Sequence, residues 1–430
     1  MSRFFPLHHR IFWCLAGVLA VASLTCAPSR VEIQPAGRPT DTPTFPDYDP
    51  AGSPPELMLA IPGAPPFHPG PGLLSNALSH MLEGNFLSAA NCLSDDLSRL
   101  EPGSPRTAAA DLLGENLFLL GDWAGFLRYT AHYSPGLDDD RVLAEAFNGQ
   151  AETAVVIPTN PTVLPVTKSP IGTPVLTVGV NGRTSRFWLD TGAGITVLTE
   201  TAARRGGVAA LGAATTADTS TRHTVVVRAA LIREFCMGDI VFHNLPAIVL
   251  ADRALRFPGP LGHSVSVDGL VGWNVLRHVA VDLDLAADAC RFSQSRAGSG
   301  GPRNFFWLGY PCVIAALENG RSLVFGLDTG ATSTSLRPPL VEKLNHRRLG
   351  WRNTRIAGAG GVESRDVLVV SRLTVTLAGQ TIVWRDLAVW PAAAYAMTPL
   401  DGVLGADLLA TARMELDPAA GRLVLHPHRR

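Results

Sequence analysis

The sequence predicts a multidomain protein in which a small all-α helical-repeat domain precedes two similar, closed β-barrel lobes. The strongest observation is a phrase that occurs twice, as FWLDTGA at residues 187–193 and as FGLDTGA at residues 325–331. Short runs of β-branched and aromatic residues, separated by turn signals, fill the chain from residue 174 onward and favour β lobes. Apolar residues at helical spacing in residues 72–150 predict the helices.

The repeated phrase is part of a longer internal duplication. Each copy is an apolar run that ends in Asp-Thr-Gly, as expected for a buried strand leading into a tight turn. An Asn-Gly pair, typical of a β-hairpin turn, stands nine residues before each Asp, at Asn181-Gly182 and Asn319-Gly320. Further on, DGLVG at 268–272 is echoed by DGVLG at 401–405. Three landmarks in the same order indicate duplicated halves, each of which contributes one carboxylate to a shared site.

Residues 1–26 have the layout of an export signal. Arg3 and Arg10 precede an apolar run at residues 11–22, which is too short for a comfortable membrane span. We expect this segment to be removed rather than to form part of the fold. Cys26 follows closely, and a lipidated cysteine that tethers the protein to a membrane is one interpretation. Because Ser23 and Thr25 match a bacterial lipoprotein signal poorly, export without a lipid is the other; both predict an extracytoplasmic protein, in the periplasm or at the cell surface.

The two regions that follow differ in composition. Residues 27–71 are rich in proline, which fixes φ and lacks an amide donor, so this region is predicted to be an extended linker. Residues 72–150 predict helix pairs that are interrupted at residues 84–86 and again at residues 121–123. The pairs are similar to tetratricopeptide repeats, and a small helical bundle packed on the next domain is the alternative. In either case we expect this domain to bind a protein partner or to place the protein, not to catalyse.

The remaining chain divides into a short linker and the two lobes. Residues 151–173 contain four further prolines and predict the second linker. The first β lobe is predicted at residues 174–297 and the second at residues 303–428. In each lobe the β-rich runs that follow the Asp-Thr-Gly phrase are short and bounded by turn residues.

Composition sets limits on function. A chain of 430 residues with 46% hydrophobic and 17% charged residues is long enough to bury several cores. The formal net charge of -1 leaves no electrostatic footprint for nucleic acid or an anionic membrane surface. In an oxidising compartment Cys236–Cys290 or Cys290–Cys312 could pair, and free buried thiols are the alternative.

The paired landmarks resemble the aspartic proteases of retropepsin and pepsin type. In that family each half supplies an apolar-apolar-Asp-Thr/Ser-Gly turn and, later, two apolar residues and a glycine followed by a short helix, which residues 270–272 and 403–405 match. Asn274 and Asp407 look like the polar position that follows this glycine in retropepsins. The resemblance covers residue 174 to the C-terminus. Because both halves lie on one chain, it implies a bilobal catalytic unit that is monomeric.

The resemblance implies an aspartic endopeptidase whose substrate is a peptide or protein. Peptide hydrolysis without a metal or a nucleophilic side chain needs a base to activate water and an acid to polarise the carbonyl. Two adjacent carboxyls can do both, because they cannot easily both ionise and so share one proton. We expect Asp190 and Asp328 to form this pair, with the acid and base roles open. The alternative is that each Asp only caps its turn.

Four residues next to the aspartates are predicted to support the turns. By resemblance, Thr191 and Thr329 cross-link the two turns through hydroxyl hydrogen bonds beneath the aspartates. Gly192 and Gly330 let the backbone pass close by, because glycine has no Cβ.

A glycine-rich segment of the second lobe resembles a retropepsin flap. Gly358-Ala359-Gly360-Gly361 stands between strand-like runs, where a hairpin tip closes over a peptide and hydrogen-bonds to it; an ordinary loop is the alternative. The corresponding stretch of the first lobe, residues 215–221, has no glycine and is interpreted as a degenerate flap.

Other chemistries find no matching pattern. The sequence contains no His-Glu-x-x-His zinc motif, no Gly-x-Ser-x-Gly elbow and no phosphate-binding loop with Gly-Lys-Ser/Thr. We therefore predict no metal and no cofactor. The alternative function is a non-catalytic receptor that binds peptides or proteins in the cleft between the lobes and partners at the helical repeats. Retention of both Asp-Thr-Gly turns favours the enzyme, because a binding cleft gains nothing from two carboxylates held together.

Overall fold

The computed structural model describes most of the chain from residue 74 onward and two short segments before it. The described residues are 22–24, 30–35, 74–101, 104–133, 138–218, 224–259, 261, 263–295, 303–344, 349–358, 361–390 and 400–428. The helices among them are α1 (Ser75–Leu82), α2 (Phe86–Arg99), α3 (Ser104–Leu120), α4 (Trp123–Tyr133), α5 (Asp138–Phe147), α6 (Glu200–Arg205), α7 (Trp273–Leu276) and α8 (Pro338–Lys343), with 3-10 helices at Asp252–Leu255 and Ala406–Ala410.

The strands of the described residues are numbered here in chain order. Those up to the end of the first lobe are β1 (Ala22–Leu24), β2 (Arg30–Pro35), β3 (Ala154–Val156), β4 (Thr162–Lys168), β5 (Pro174–Val180), β6 (Arg183–Leu189), β7 (Thr196–Thr199), β8 (Ala210–Asp218), β9 (Thr224–Met237), β10 (Ile240–Leu250), β11 (Arg256–Pro258), β12 (Ser264–Ser266), β13 (Gly269–Val271), β14 (Val279–Asp284) and β15 (Ala289–Gln294). Those that follow in the chain are β16 (Phe305–Trp307), β17 (Pro311–Leu317), β18 (Ser322–Leu327), β19 (Ser335–Leu336), β20 (Leu349–Gly358), β21 (Gly361–Leu377), β22 (Gln380–Val389), β23 (Gly402–Leu404), β24 (Ala412–Asp417) and β25 (Arg422–Pro427).

The helices α1–α5 pack together ahead of the β region. In α2 the buried residues Ala89, Ala90, Leu93 and Leu97 recur at the spacing of one helix face, which is why this segment forms an amphipathic helix. The turns between α1 and α2 and between α3 and α4 contain Gly84 and Gly121, both with positive φ. The tetratricopeptide interpretation stays a prediction. None of the helices in the described ranges is long and apolar enough to cross a membrane.

Two large sheets carry the lobes. The first lobe has the strand order β25-β24-β14-β15-β4-β5-β6-β13-β7-β10-β9-β8, and the second has β1-β20-β21-β17-β18-β23-β19-β22-β2. Additional pairings, β5 with β9 and β21 with β22, curl each sheet back on itself. The hairpin β5–β6 turns at Asn181 and Gly182, whose φ angles are 47° and 75°. The predicted fold class, two barrel-like β lobes preceded by helices, is confirmed.

The structure differs from the linker prediction at residues 151–173. Strands β3 and β4 form there, and Val166 in β4 is fully buried. β4 pairs with β15 through residues 162–165 and with β5 through residues 166–168. Pro165 therefore has a paired strand on one side only. A strand tolerates proline at such a position because no neighbouring strand needs its missing amide donor. Counting prolines failed here because the partners that accommodate them are remote in sequence.

The two N-terminal segments also form strands. Residues 30–35, within the predicted linker 27–71, run antiparallel to β22 and cover its edge, with Val31 and Ile33 packed against the core. They pair because the edge strand β22 has free backbone N–H and C=O groups along one side. The proline content of residues 27–71 gives no sign of this edge. Residues 22–24, within the predicted export signal, pair with β20. Cys26 and most of the signal lie outside the described residues, so export and lipidation stay predictions.

The last strands of the chain cross from the second lobe to the first. β24 pairs with β14 and with β25, so residues 412–427 extend the first lobe's sheet. Ala412, Met414 and Leu416 alternate with less buried residues and face the core, as period-two patterning requires. Cys92, Cys236, Cys290 and Cys312 are free, so neither candidate disulfide forms.

Helix α5 is attached to the outer hairpin of the first lobe. The Asp139 carboxylate accepts hydrogen bonds from the Thr216 amide and hydroxyl, each at 3.0 Å, and from the Thr215 hydroxyl. A Cβ on Gly212, in the same strand β8, would lie 3.1 Å from Ala146 Cβ. The helical domain therefore braces the hairpin β8–β9, where the sequence predicted a degenerate flap.

Asp140, beside this contact, is expected to make stability depend on pH. It is fully buried, neither of its carboxylate oxygens has a hydrogen-bond partner among the described residues, and burial together with Glu115 and Asp139 raises its pKa well above the usual value. Because the folded-state pKa is raised, stability is complete below pH ~4 and is lost as pH rises toward the folded-state pKa.

Asp140→Asn removes this dependence. We expect the variant to gain about 1–3 kcal/mol relative to wild type between pH 4 and pH 7, measured by urea unfolding followed through helical circular dichroism. Equal pH profiles for the two proteins would show that Asp140 does not ionise at a cost in the folded state.

Candidate active site

The two Asp-Thr-Gly turns occupy equivalent places in the two lobes. Strand β6 delivers Asp190 and strand β18 delivers Asp328, and each runs parallel to a short strand, β13 or β23. The Asp190 amide donates to the Val271 carbonyl at 3.1 Å, and the Asp328 amide donates to the Leu404 carbonyl at 2.9 Å. The apolar-apolar-Gly elements noted in the sequence therefore lie beside the turns and fix where each turn begins.

The polar residue after each of these glycines holds the chain that leaves the turn. Asn274 Oδ1 accepts from the Thr196 amide at 2.8 Å and hydroxyl at 2.9 Å. Asp407 Oδ1 accepts in the same way from Thr334, at 2.9 and 2.8 Å. Thr196 and Thr334 are themselves equivalent residues of the two halves. Each turn is thus held on both sides by its own lobe.

The two threonines of the Asp-Thr-Gly turns link the lobes to each other. Thr191 Oγ1 donates to the Leu327 carbonyl at 2.8 Å and accepts from the Thr329 amide at 3.0 Å. Thr329 Oγ1 makes the reciprocal pair, donating to the Leu189 carbonyl at 2.6 Å and accepting from the Thr191 amide at 3.1 Å. All four bonds are buried. They fix the relative position of the two aspartates across the lobe interface.

The carboxyls of Asp190 and Asp328 lie together between the turns. Asp190 Oδ1 accepts from the amides of Gly192 and Ala193 at 3.0 and 3.2 Å, and Asp328 Oδ1 accepts from those of Gly330 and Ala331, both at 2.9 Å. Asp190 is 0% exposed and Asp328 7%. The pKa of Asp190 is raised well above its usual value. Burial is the largest cause, followed by the charge of Asp328 and by the hydrogen bond between the two carboxyls. Burial also raises the pKa of Asp328, against hydrogen bonds from Ala331, Tyr310, Asp190 and Gly330 that lower it.

Asp190 Oδ2 receives no hydrogen bond from the described residues while both carboxyls are ionised. A proton on this pair supplies the missing donor, since one carboxyl then donates to its neighbour. The geometry therefore favours one proton shared by two carboxyls, the arrangement in which like charges at close range do not both form.

The two glycines of the turns are required by this close approach. A Cβ on Gly192 would lie 2.6 Å from Asp328 Cγ, and one on Gly330 would lie 2.5 Å from Asp190 Cγ. Each carboxyl thus rests against the glycine of the opposite turn.

Gly192→Ala is expected to destabilise the protein. The added methyl meets the Asp328 carboxyl and, at 2.7 Å, the Tyr310 hydroxyl; both are buried and cannot move away freely, so we expect a loss of about 1–3 kcal/mol. The unfolding midpoint in urea measures it. Gly350→Ala is the matched control, because a Cβ there meets nothing within 4 Å. Equal losses of stability in the two variants would show that the Asp328 carboxyl and the Tyr310 hydroxyl do not crowd residue 192.

Tyr310 is a site residue that the sequence analysis missed. Its hydroxyl donates to Asp328 Oδ2 at 3.1 Å and its side chain is buried. The signal in the sequence is a difference between the repeats: Trp188 in the first phrase is replaced by Gly326 in the second. A Cβ on Gly326 would lie 2.6 Å from Tyr310 Cε1, so the missing side chain makes room for the tyrosine ring.

The predicted flap lies at the end of a long hairpin. β20 pairs over its whole length with residues 361–370 of β21, up to a last pair, Gly358 and Gly361. Ala359 and Gly360, between them, lie outside the described residues. Beneath this end is a cleft of about 530 Å³ whose walls come from both lobes, including Phe257 and Val226 of the first lobe and Val362 of the second. Substrate binding by these flap residues stays a prediction.

Metal ligation finds no support in the described part of the chain. No group of three or more His, Cys, Asp or Glu side chains there is arranged to hold a metal ion. What the site offers is two adjacent buried carboxyls at the meeting point of two lobes. Such a pair can accept a proton from water with one carboxyl and donate one with the other.

Similar proteins are found among known families and among solved structures. The aspartyl protease family model matches the chain twice, over residues 176–275 and 313–408, once in each lobe. Among solved structures, an aspartic proteinase from Irpex lacteus is 13% identical, with a TM-score of 0.38 and coverage of 62% of this chain and 97% of that one. A retropepsin-like aspartic protease from Rickettsia conorii is 16% identical, with a TM-score of 0.22 and coverage of 33% and 94%. No curated protein matches.

Proposed function

We propose that the chain is an aspartic endopeptidase whose catalytic pair is Asp190 and Asp328, because the aspartyl protease family model matches once in each of the two β lobes. The family match supports aspartyl protease activity in general. The assignment to these two residues is our own. A single observation carries it: the hydroxyls of Thr191 and Thr329 make four reciprocal hydrogen bonds to the opposite turn, which hold two otherwise repulsive carboxyls together.

The pair hydrolyses a peptide bond through water. The ionised carboxyl takes a proton from a water molecule, which attacks the peptide carbonyl carbon, while the protonated carboxyl donates its proton to the carbonyl oxygen. The tetrahedral intermediate then collapses: the C–N bond breaks, the amine leaves with the first proton, and one hydroxyl of the former carbonyl carbon returns a proton to the second carboxyl. No covalent link to the protein forms, and the amides that hold both Oδ1 atoms keep the carboxyls oriented throughout.

The surrounding structure fits a peptide substrate. An extended peptide in the cleft lies under the end of the β20–β21 hairpin, where the glycines let backbone groups approach it. We propose that the hairpin closes over the peptide as a flap. The first-lobe hairpin is braced by Asp139 of the helical domain. The second-lobe hairpin is held near its tip by residues 22–24, which belong to the segment that we expect to be removed on export, and it then becomes the moving part. We further propose an exported protein whose helical domain binds a protein partner.

The proposal is tested by incubating the folded protein, from residue 30 onward, with a diverse peptide mixture between pH 3 and pH 7 and identifying products by mass spectrometry. A protein with both aspartates replaced by Asn is the control. We expect internal cleavage by the wild type alone, with a bell-shaped pH dependence set by the shared proton. No wild-type cleavage at any pH would count against the enzyme and favour the alternative, a peptide or protein receptor.

A further inference from the structure

The carboxyl pair is not symmetric, and Tyr310 is the cause. Apart from its contact with Asp190, Asp328 receives three hydrogen bonds from the described residues, two from amides on Oδ1 and one from the Tyr310 hydroxyl on Oδ2. Asp190 receives two, both from amides on Oδ1. The amide contacts match between the lobes, so the tyrosine is the difference between the two carboxyls.

The second lobe is built to place this hydroxyl. Tyr310 lies in the turn between β16 and β17, where its carbonyl accepts from the Leu308 amide at 3.1 Å and from the Cys312 thiol at 3.3 Å. Its ring rests on Gly326, where a Cβ would come within 2.6 Å. The hydroxyl reaches the opposite turn as well, 2.7 Å from where a Gly192 Cβ would lie.

The first lobe lacks this arrangement. The cross-strand pairs Val175–Trp188 and Cys312–Gly326 align the two hairpins and match Tyr310 with Thr173. Thr173 hydrogen-bonds to Ser169, 2.7 Å between the hydroxyl oxygens, rather than to an aspartate. Trp188, which is fully buried and stacked on Phe257 with the ring centroids 4.7 Å apart, holds the position that Gly326 has in the second lobe. The duplication has therefore been broken at one matched pair of positions.

We propose that Tyr310 is a positioning residue that directs the shared proton to Asp190 and keeps Asp328 as the carboxylate that takes the proton from water. The proposal rests on the proposed aspartic-protease function. A hydroxyl donates more strongly to a charged acceptor, so it stabilises the ionised form of the carboxyl it contacts. The proton then resides on Asp190, whose Oδ2 has no donor from the described residues.

The two roles close a balanced cycle. Asp328 accepts one proton from water as the new C–O bond forms, and Asp190 gives its proton to the carbonyl oxygen. When the C–N bond breaks, the amine takes the proton from Asp328, and one hydroxyl of the tetrahedral carbon returns a proton to Asp190. Each carboxyl ends in the state in which it began.

Tyr310→Phe tests the assignment, because it removes the hydroxyl and keeps the ring. On a peptide that the wild type cleaves, we expect kcat/KM of the variant to fall about 10-fold at the acidic end of the pH profile, where Asp328 is harder to ionise without its donor. The basic limb, set by loss of the Asp190 proton, stays in place. Tyr129→Phe, in the helical domain, is the matched control. A shift of the basic limb alone, equal shifts of both limbs, no shift, or a rise in kcat overturns the proposal.

A second measurement does not depend on activity. With aspartate labelled with carbon-13 at Cγ, and Asp328→Asn used for assignment, carboxyl chemical shifts are followed against pH in the wild type and in Tyr310→Phe. We expect the Asp328 titration to move to higher pH in the variant; an unmoved titration overturns the role of Tyr310. If the wild type cleaves no peptide, the proposed function fails, and this titration still decides whether Tyr310 sets the proton's position.

Discussion

Replacement of Asp190 or Asp328 by Asn is expected to lower kcat by at least about 10³-fold in each single variant. Asparagine has the shape of aspartate, so the backbone amides still find an acceptor, but it neither takes a proton from water nor donates one as an acid. Since each carboxyl has its own role, neither can replace the other, and the double variant should be little worse than either single one.

The measurement is single-turnover cleavage of a peptide identified with the wild type. Asp386→Asn is the control, because Asp386 is exposed and its positive φ of 60° suits asparagine equally well. A single variant that keeps a tenth or more of the wild-type rate would mean that its aspartate is not part of the reacting pair.

Asp190→Asn, which lowers activity, should increase the stability of the folded protein at neutral pH. The pKa of Asp190 is raised in the folded state, so its contribution to stability is complete below pH ~4 and is lost as pH rises toward that pKa. At neutral pH the wild type therefore holds two carboxyls whose ionisation is unfavourable, and Asp190→Asn relieves this. A less active but more stable variant at pH 7 is the signature of a functional pair and not of a structural one.

Thr191→Val is expected to cost about 2–6 kcal/mol of stability, and to reduce kcat by about 10²-fold through misplacement of the carboxyls. Valine keeps the size of threonine but has no hydroxyl. The substitution leaves two buried groups without their partner: the Leu327 carbonyl, which accepts from Thr191, and the Thr329 amide, which donates to it. Each buried group left unpaired costs about 1–3 kcal/mol.

Thr191→Ser provides the comparison, because serine keeps the hydroxyl and loses only a methyl group, for about 1 kcal/mol. Urea unfolding and kcat are measured for both variants. If the valine variant is no less stable than the serine variant, the cross-link between the lobes does not depend on these hydrogen bonds.

The duplicated halves could be predicted from the sequence because the signals are local and repeated. The Asp-Thr-Gly phrases, the Asn-Gly turns and the apolar-apolar-Gly elements each depend on neighbouring residues, and their order is the same in both halves. The structure places Asp190 and Asp328 together, and their role as the catalytic pair stays a proposal. It also gives Thr191 and Thr329 the reciprocal bonds implied by resemblance.

The linker boundaries could not be predicted because pairing depends on remote strands. Residues 162–168 form β4 although they contain Pro165, and residues 30–35 form β2 within a proline-rich stretch. In both places the partner strand, β15 or β22, lies more than a hundred residues away and supplies an edge that no local pattern reveals. Whether Cys290 forms a disulfide could not be predicted either, because the spacing of cysteines along the sequence does not set the distance between their sulfur atoms in the fold.

By itself, the sequence determined the two lobes and one carboxylate for each. These follow from apolar periodicity, turn chemistry and repetition, which act over a few residues. Only the tertiary structure decided what makes the lobes unequal: Tyr310 on Asp328 and Asp139 on the first-lobe hairpin. Both are contacts between segments that meet only when the chain is packed. The exchange of Trp188 for Gly326 was visible in the sequence. Only the structure shows its reason, because the Tyr310 ring packs against Gly326 where a side chain would otherwise lie.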